Sequence, residues 1–343
     1  MRNPGVAIAL MLAALLILPS VSAHAPLGSG YNESLATATR VPDPTKSWAI
    51  YAGLHEGGEA QYYVFDMTRG ERIHLSLLTT TAPEDRDFTP GLLLMGPGLE
   101  SQGFVPPYVE TPPGASVLAV NGTRPAQATY EAFAPSSYVQ LADVAMDAPG
   151  NGTYYVAVQD PSRGGPYGLA IGDRESFTLS EWLLMPWSLL SVYTWERQSL
   201  PVVLLPAMAT MAAGLVLLLR RHRAGKPLDV SRLIAAVAGL LFLGTGATVL
   251  SQMILSMSRS SVDAFAIVTL TFAVIPVLLG LLTLRLVLRG SMRWSRRGRL
   301  YLAILGGGAL FAWAGFVIGP ILALAAAVLP SKNSGENRSM AGA

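Results

Sequence analysis

The chain has 343 residues, 51% of them hydrophobic and 13% charged, with a net charge of +2. That balance excludes an ordinary soluble globular protein, in which about a quarter of residues are charged. The absence of cysteine excludes a disulfide framework, a thiolate nucleophile and any cysteine-held zinc or iron–sulfur site.

The charge is also divided along the chain. Residues 24–197 carry 19 acidic and 9 basic side chains, and the remainder carries 3 acidic and 15 basic ones. An acidic part and a basic part point to two environments. The acidic balance of the first part excludes nucleic acid as its partner, since phosphate binding needs a basic face.

At the amino terminus, Arg2 precedes an apolar run over 6–18. Pro19 and Ser20 break the run, and Val21-Ser22-Ala23 offers small residues for cleavage. This is the layout of a secretory signal peptide over residues 1–23. The alternative is an uncleaved anchor helix, and in both cases the following segment lies outside the cytoplasm. Residues 24–47 are read as an amino-terminal extension.

Residues 48–178 are read as an extracytoplasmic β-domain. Runs with period-two alternation fall at 48–54, 61–66, 72–77, 92–95, 116–120, 129–133, 138–146, 153–158 and 167–171. Thr68-Arg69-Gly70-Glu71 and Asn151-Gly152 supply turns, and Pro-rich stretches at 83–90 and 106–113 supply loops. Short strands rich in Tyr and Val at this spacing predict an all-β sandwich. Four segments carry a family likeness: Gln61-Tyr62-Tyr63-Val64-Phe65, Gly70-Glu71-Arg72-Ile73-His74-Leu75, Gly152-Thr153-Tyr154-Tyr155-Val156-Ala157-Val158 and Tyr167-Gly168-Leu169-Ala170-Ile171. Together they resemble the pre-peptidase C-terminal domain of bacteria and archaea over about residues 48–172, with an insertion between about 84 and 137. The resemblance implies a jelly-roll-like sandwich that serves in binding or folding rather than in chemistry. The family often has acidic residues before the strand that starts here at Gln61. Glu59 keeps that pattern and Gln61 departs from it.

No Gly-x-Ser-x-Gly elbow and no His-Glu-x-x-His helix is present, so no catalytic residue is assigned and the chain is read as a non-enzyme. Two metal sites are considered. His24 would become the mature amino terminus after cleavage at Ala23, and its α-amine and ring would form a chelate suited to copper, completed by His55 or His74. Glu84, Asp85 and Asp87 cluster hard oxygen ligands suited to calcium. The bland alternatives are a chance histidine at the cut, a surface histidine at position 74 and a solvated acidic loop. Asn32, Asn121, Asn151 and Asn337 stand in glycosylation sequons.

Residues 179–199 hold Trp182, Trp187, Tyr193 and Trp195, side chains that favour the headgroup region, and are read as an interfacial linker. The stretches 200–219, 233–257, 264–284 and 300–329 contain no charge. Each is long enough for a membrane helix, so four spans are expected. Arg220, Arg221, Arg223, Lys226 and Arg232 lie between the first two. Arg285, Arg289, Arg293, Arg296, Arg297 and Arg299 lie between the last two. The positive-inside rule makes both loops cytoplasmic and puts the tail, residues 330–343, outside. Gly308, Ala312, Gly315 and Gly319 supply small residues for close helix packing.

The expected molecule is a membrane-anchored binding or assembly protein whose partners are the bilayer and other membrane or surface proteins. Alternatives are an accessory subunit of a membrane enzyme or transporter, and a copper-handling protein.

Overall fold

The computed structural model describes residues 24–261, 264–289 and 295–329. The expected signal peptide, the tail and Asn337 lie outside the described residues. Eleven strands come first: β1 (Ala25–Pro26), β2 (Thr39–Arg40), β3 (Trp48–Leu54), β4 (Glu59–Met67), β5 (Arg72–Thr80), β6 (Gly91–Gly96), β7 (Ser116–Val120), β8 (Thr129–Glu131), β9 (Ser136–Asp147), β10 (Gly152–Asp160) and β11 (Gly165–Ile171). They form two mixed sheets, one ordered β1-β3-β11-β5-β9-β8 and the other β2-β4-β10-β6-β7. The two-residue strands β1 and β2 pair parallel with β3 and β4; all other pairs are antiparallel.

Period-two alternation sends one set of side chains between the sheets. Ile50, Ile73, Leu75, Tyr167 and Leu169 come from the first sheet. Tyr63, Phe65, Leu92, Leu94, Tyr154 and Val156 come from the second, and all are fully buried. Two core tyrosines need polar partners. Tyr63 and Tyr167 meet hydroxyl to hydroxyl at 2.6 Å, and Tyr167 donates to Gln61 Oε1 at 2.7 Å. This explains why position 61 holds a buried amide. The β5–β9 pair slips by one residue between Leu77 and Leu78, so Leu141 has no partner across the ladder.

Six helices follow: α1 (Leu179–Trp195), α2 (Leu200–Arg223), α3 (Val230–Met257), α4 (Ala266–Arg289), α5 (Arg296–Phe311) and α6 (Ile318–Val328). Thr178 and Glu181 form a capping box at the start of α1, which satisfies amide groups of the first turn. Among the described residues α2, α3 and α4 are long and apolar enough to cross a membrane. Helices α3 and α4 approach closely where glycines face each other, since a β-carbon on Gly280 would lie 2.7 Å from the Gly239 carbonyl.

Three of the four expected spans are thus single helices, whereas the fourth charge-free stretch is not one continuous helix. It breaks between Phe311 and Ile318, where Trp313, Gly315, Phe316 and Val317 all have positive φ. Helix α6 folds back antiparallel on α5. A β-carbon on Gly306 would sit 3.1 Å from that of Ala323, and Arg299 Nη1 donates to the Val328 carbonyl at 3.2 Å. The described chain therefore ends beside the start of α5. Gly315 and Gly319 press on Phe242 of α3, where a β-carbon on Gly319 would lie 2.6 Å from the ring. Ala312 is buried, whereas a β-carbon on Gly308 would meet nothing within 4 Å.

Candidate functional site

The sandwich is docked directly on the helices. Tyr130 donates to Thr269 Oγ1 of α4 at 2.7 Å, and Thr269 donates in turn to the Ala132 carbonyl. The amide of Ser137 donates to Glu196 at 3.1 Å. Arg197 pairs with Asp85 at 3.0 Å, and Lys46 pairs with Glu181 at 2.7 Å. The indole of Trp313 donates to the Trp182 carbonyl at 2.8 Å. Gln198 of the linker and Gln252 of α3 exchange two amide hydrogen bonds of 3.0 Å, so the buried amide of Gln252 is satisfied from outside its own helix.

Between the outer face of the first sheet and α1 lies a cavity of about 270 Å³. Its floor follows from residue size. Ala49 of β3 and Gly168 and Ala170 of β11 point this way, and their small side chains leave room that larger ones would fill. Leu78 lies over Gly168, where a β-carbon would come within 2.3 Å of it. The roof is Met185, Ser188, Leu189, Val192 and Trp195 of α1. One end is closed by the 131–136 turn and the other by His24 to Gly28.

Four aromatic rings line this space: Tyr51, Phe133, Tyr138 and Trp195. Tyr51 and Trp195 meet edge to face with centroids 4.9 Å apart. The Trp195 indole is fixed by donation to the carbonyls of Ala52 and Tyr167 at 3.2 and 3.1 Å. The acid among the lining side chains is Glu131, held by the Phe133 amide at 3.0 Å. Burial pushes its carboxyl up to about 7, against backbone amides that favour the ionised form. No Lys, Arg or His among the described residues forms an ion pair with it. Burial likewise raises the Tyr51 hydroxyl, and raises Tyr138 to about 12, with the Glu131 charge adding to both. Burial, then His74, lowers His24 to about 4, so it enters the cavity wall as a neutral imidazole whose Nδ1 meets Ser47 Oγ.

Of the residues singled out from sequence, His24 and His74 lie near enough for their charges to interact, and the others are scattered. His24 and His55 lie beyond opposite ends of β3, roughly 20 Å apart at the strand rise, so they cannot share one copper ion. His74 meets Asp143 at 3.2 Å on the open face. His55 instead gathers with Glu33 and Glu59, their ligand atoms within 4.8 Å of one another; both carboxylates pair with its imidazole, at 3.9 and 3.2 Å. The acidic loop also diverges. Asp85 is buried and takes Arg197 and Thr80, Asp87 turns to Arg163 at 3.5 Å, and Glu84 is exposed. They form no common calcium cage. Asn32 is 1% exposed and donates to the Tyr62 carbonyl, which removes it as a glycan acceptor. Asn121 and Asn151 are exposed. Glu131 escaped the sequence reading because it stands inside an expected strand with no motif around it.

No protein-family model matches the chain, and no curated protein matches it. Among solved structures it aligns with one titled "pT26-6p" at 10% identity, over 82% of this chain and 47% of that one, with a TM-score of 0.15. The chain thus spans about half the length of that structure, and the likeness is too low to carry an argument.

Proposed function

We propose that this protein is a membrane-anchored extracytoplasmic binding protein without a catalytic site of its own, and that it takes its ligand in the cavity under α1. The carrying observation is that this cavity is shared. Its floor belongs to the sandwich, and its roof is the helix that leads into the first apolar one. Mostly apolar walls with a few convergent polar groups and a perturbed acid are the usual marks of a ligand site. The resemblance to the pre-peptidase C-terminal domain agrees with a binding role. The basic residues at the ends of α2 and α4 favour a cytoplasmic location for those ends, with the sandwich on the opposite side. In this reading α5 and α6 form a re-entrant hairpin, tolerated because its broken backbone is buried against α3.

Native mass spectrometry of the full chain, taken from membranes into mild detergent, tests the reading. A bound small molecule is expected on the wild type and absent from Ser188→Trp, in which an indole fills the cavity. A bare wild type, or an adduct that survives in Ser188→Trp, overturns it.

A further inference from the structure

We infer that the cavity under α1 binds an organic ammonium group, its charge against Glu131 and its alkyl shell against the rings of Tyr51, Phe133, Tyr138 and Trp195. The inference rests on the binding reading above and names its ligand class. Three observations lead to it. The first is composition: four aromatic side chains and one carboxyl line a space of about 270 Å³. Ring faces carry negative potential and attract cations, most strongly when water is excluded. The second is electrostatic. The carboxyl is an acceptor without a cationic partner among the described residues, and Glu175 adds repulsion to its ionised form. A buried carboxylate stays charged only if something compensates it, and a bound cation would do so. The third is the missing competitor. His24, the basic residue in the wall, is neutral because burial disfavours its charge, so the protein does not neutralise Glu131 itself.

The alternatives are weaker. An anion would face Glu131 with no Lys or Arg in the wall. A wholly apolar ligand would leave the Tyr51 and Tyr138 hydroxyls and the carboxyl unused. An ammonium with a short alkyl chain uses the carboxyl and the rings at the inner end, and the chain runs along Leu78, Met185 and Leu189. The same chemistry is found in an amine-bearing lipid headgroup and in a free solute. The position under an interfacial helix admits both.

The test is titration of the detergent-purified full chain with choline and with dimethylbutanol, its uncharged carbon isostere, read by calorimetry and by Trp fluorescence. Choline is expected to bind saturably at about pH 8, and dimethylbutanol about tenfold or more weaker. Below about pH 7 choline affinity is expected to fall, by about tenfold in all, as a single carboxyl takes up its proton. Tyr51, Tyr138 and His24 titrate outside that range; Glu196, whose charge acts on Tyr51, is raised to about 7 as well, so Glu131→Gln is compared with Glu196→Gln, which should keep the pH dependence. Glu131→Gln is expected to abolish the pH dependence and weaken choline about tenfold. Equal binding of the two probes, or no saturable choline binding, overturns the inference, and that comparison needs no variant. Should a bound molecule be lost from Ser188→Trp while choline fails to bind, the ammonium assignment falls and the binding reading stands. Repetition in nanodiscs assigns the source. Weaker apparent choline affinity in phosphatidylcholine than in phosphatidylglycerol discs identifies a headgroup site, and equal affinity identifies a solute site.

Discussion

At the scale of single residues, the junction is held by polar groups at the edge of ionisation. Glu196 is 4% exposed, and burial pushes its carboxyl up to about 7 against donation from Ser137, Gln198 and Ser136 and attraction to Arg259. Tyr51 and Tyr193 face it as well and are raised partly by its charge. A carboxyl raised on folding is protonated in the folded state at pH values where the unfolded chain has already lost its proton. Its contribution is fully present below about pH 4.5 and is lost as pH rises to about 7. Over that window Glu196 should contribute a decline of on the order of 3 kcal/mol, opposed by His24, whose buried neutral imidazole adds stability as pH rises from about 4 to 6.5. In Glu196→Gln that contribution should disappear, so stability should fall less, or rise more, with pH than in the wild type, measured by thermal unfolding. An unchanged pH profile in Glu196→Gln would show that this carboxyl is not buried as described. The sequence offered little warning of either glutamate. Each follows a Tyr or Trp directly, Glu131 among apolar neighbours and Glu196 before Arg197 and Gln198, with no motif in either case. Burial of these two carboxyls depends on α1 lying across the first sheet, a long-range contact that no local pattern encodes.

Elements were more legible, because alternation is a local property. All nine expected strand runs coincide with β3 to β11 at their centres, and 48–54 and 116–120 match end to end. The two-residue strands β1 and β2 were invisible because two residues have no period. The helices tell the opposite story. Counting charge-free residues identifies apolar length but not backbone direction, and 300–329 is long and apolar whether straight or folded. What decides is the 312–317 turn, where Gly315 at φ 76° supplies the left-handed residue and Gly319 lets α6 lie against Phe242. The hairpin makes a topological prediction, and the cysteine-free chain makes it easy to check. Leu329→Cys should react with a membrane-impermeant maleimide from the same side as Lys226→Cys, and from the side opposite to Glu56→Cys. Reaction on the Glu56→Cys side would restore a continuous fourth span.

For the whole molecule, the docking of sandwich on helices separates this protein from a domain on a flexible tether. Asp85 illustrates the coupling. It belongs to the sandwich, is 3% exposed, and accepts from Thr80 and from Arg197 in the linker. Asp85→Ala should leave both donors without their acceptor, at a cost of about 2–3 kcal/mol. Limited proteolysis between α1 and α2 should accelerate accordingly, while the exposed control Glu84→Ala should behave as wild type. Equal cleavage of the two variants would mean that the contact contributes nothing to docking. A sandwich fixed in this way holds the cavity floor against its roof, α1.

The slip in the β5–β9 ladder has a consequence for how this gene can change. Counting back by twos from Val144 and Ala142, both core residues, an unbroken strand would bring Gln140 and then Tyr138 into the core. The unpaired Leu141 shifts the count, so Val139 goes inward and Tyr138 faces the cavity. Deleting the codon for Leu141 would leave both side chains on their present faces, because Gln140 would then adjoin Ala142 in an unbroken ladder with the same partners, Leu78 and Leu77. Substitutions at 138 or 139 alter one face at a time. The bulge is therefore a point where this strand can lose one residue without turning the cavity lining over, whereas loss of a paired residue on an unbroken strand reverses every side chain beyond it.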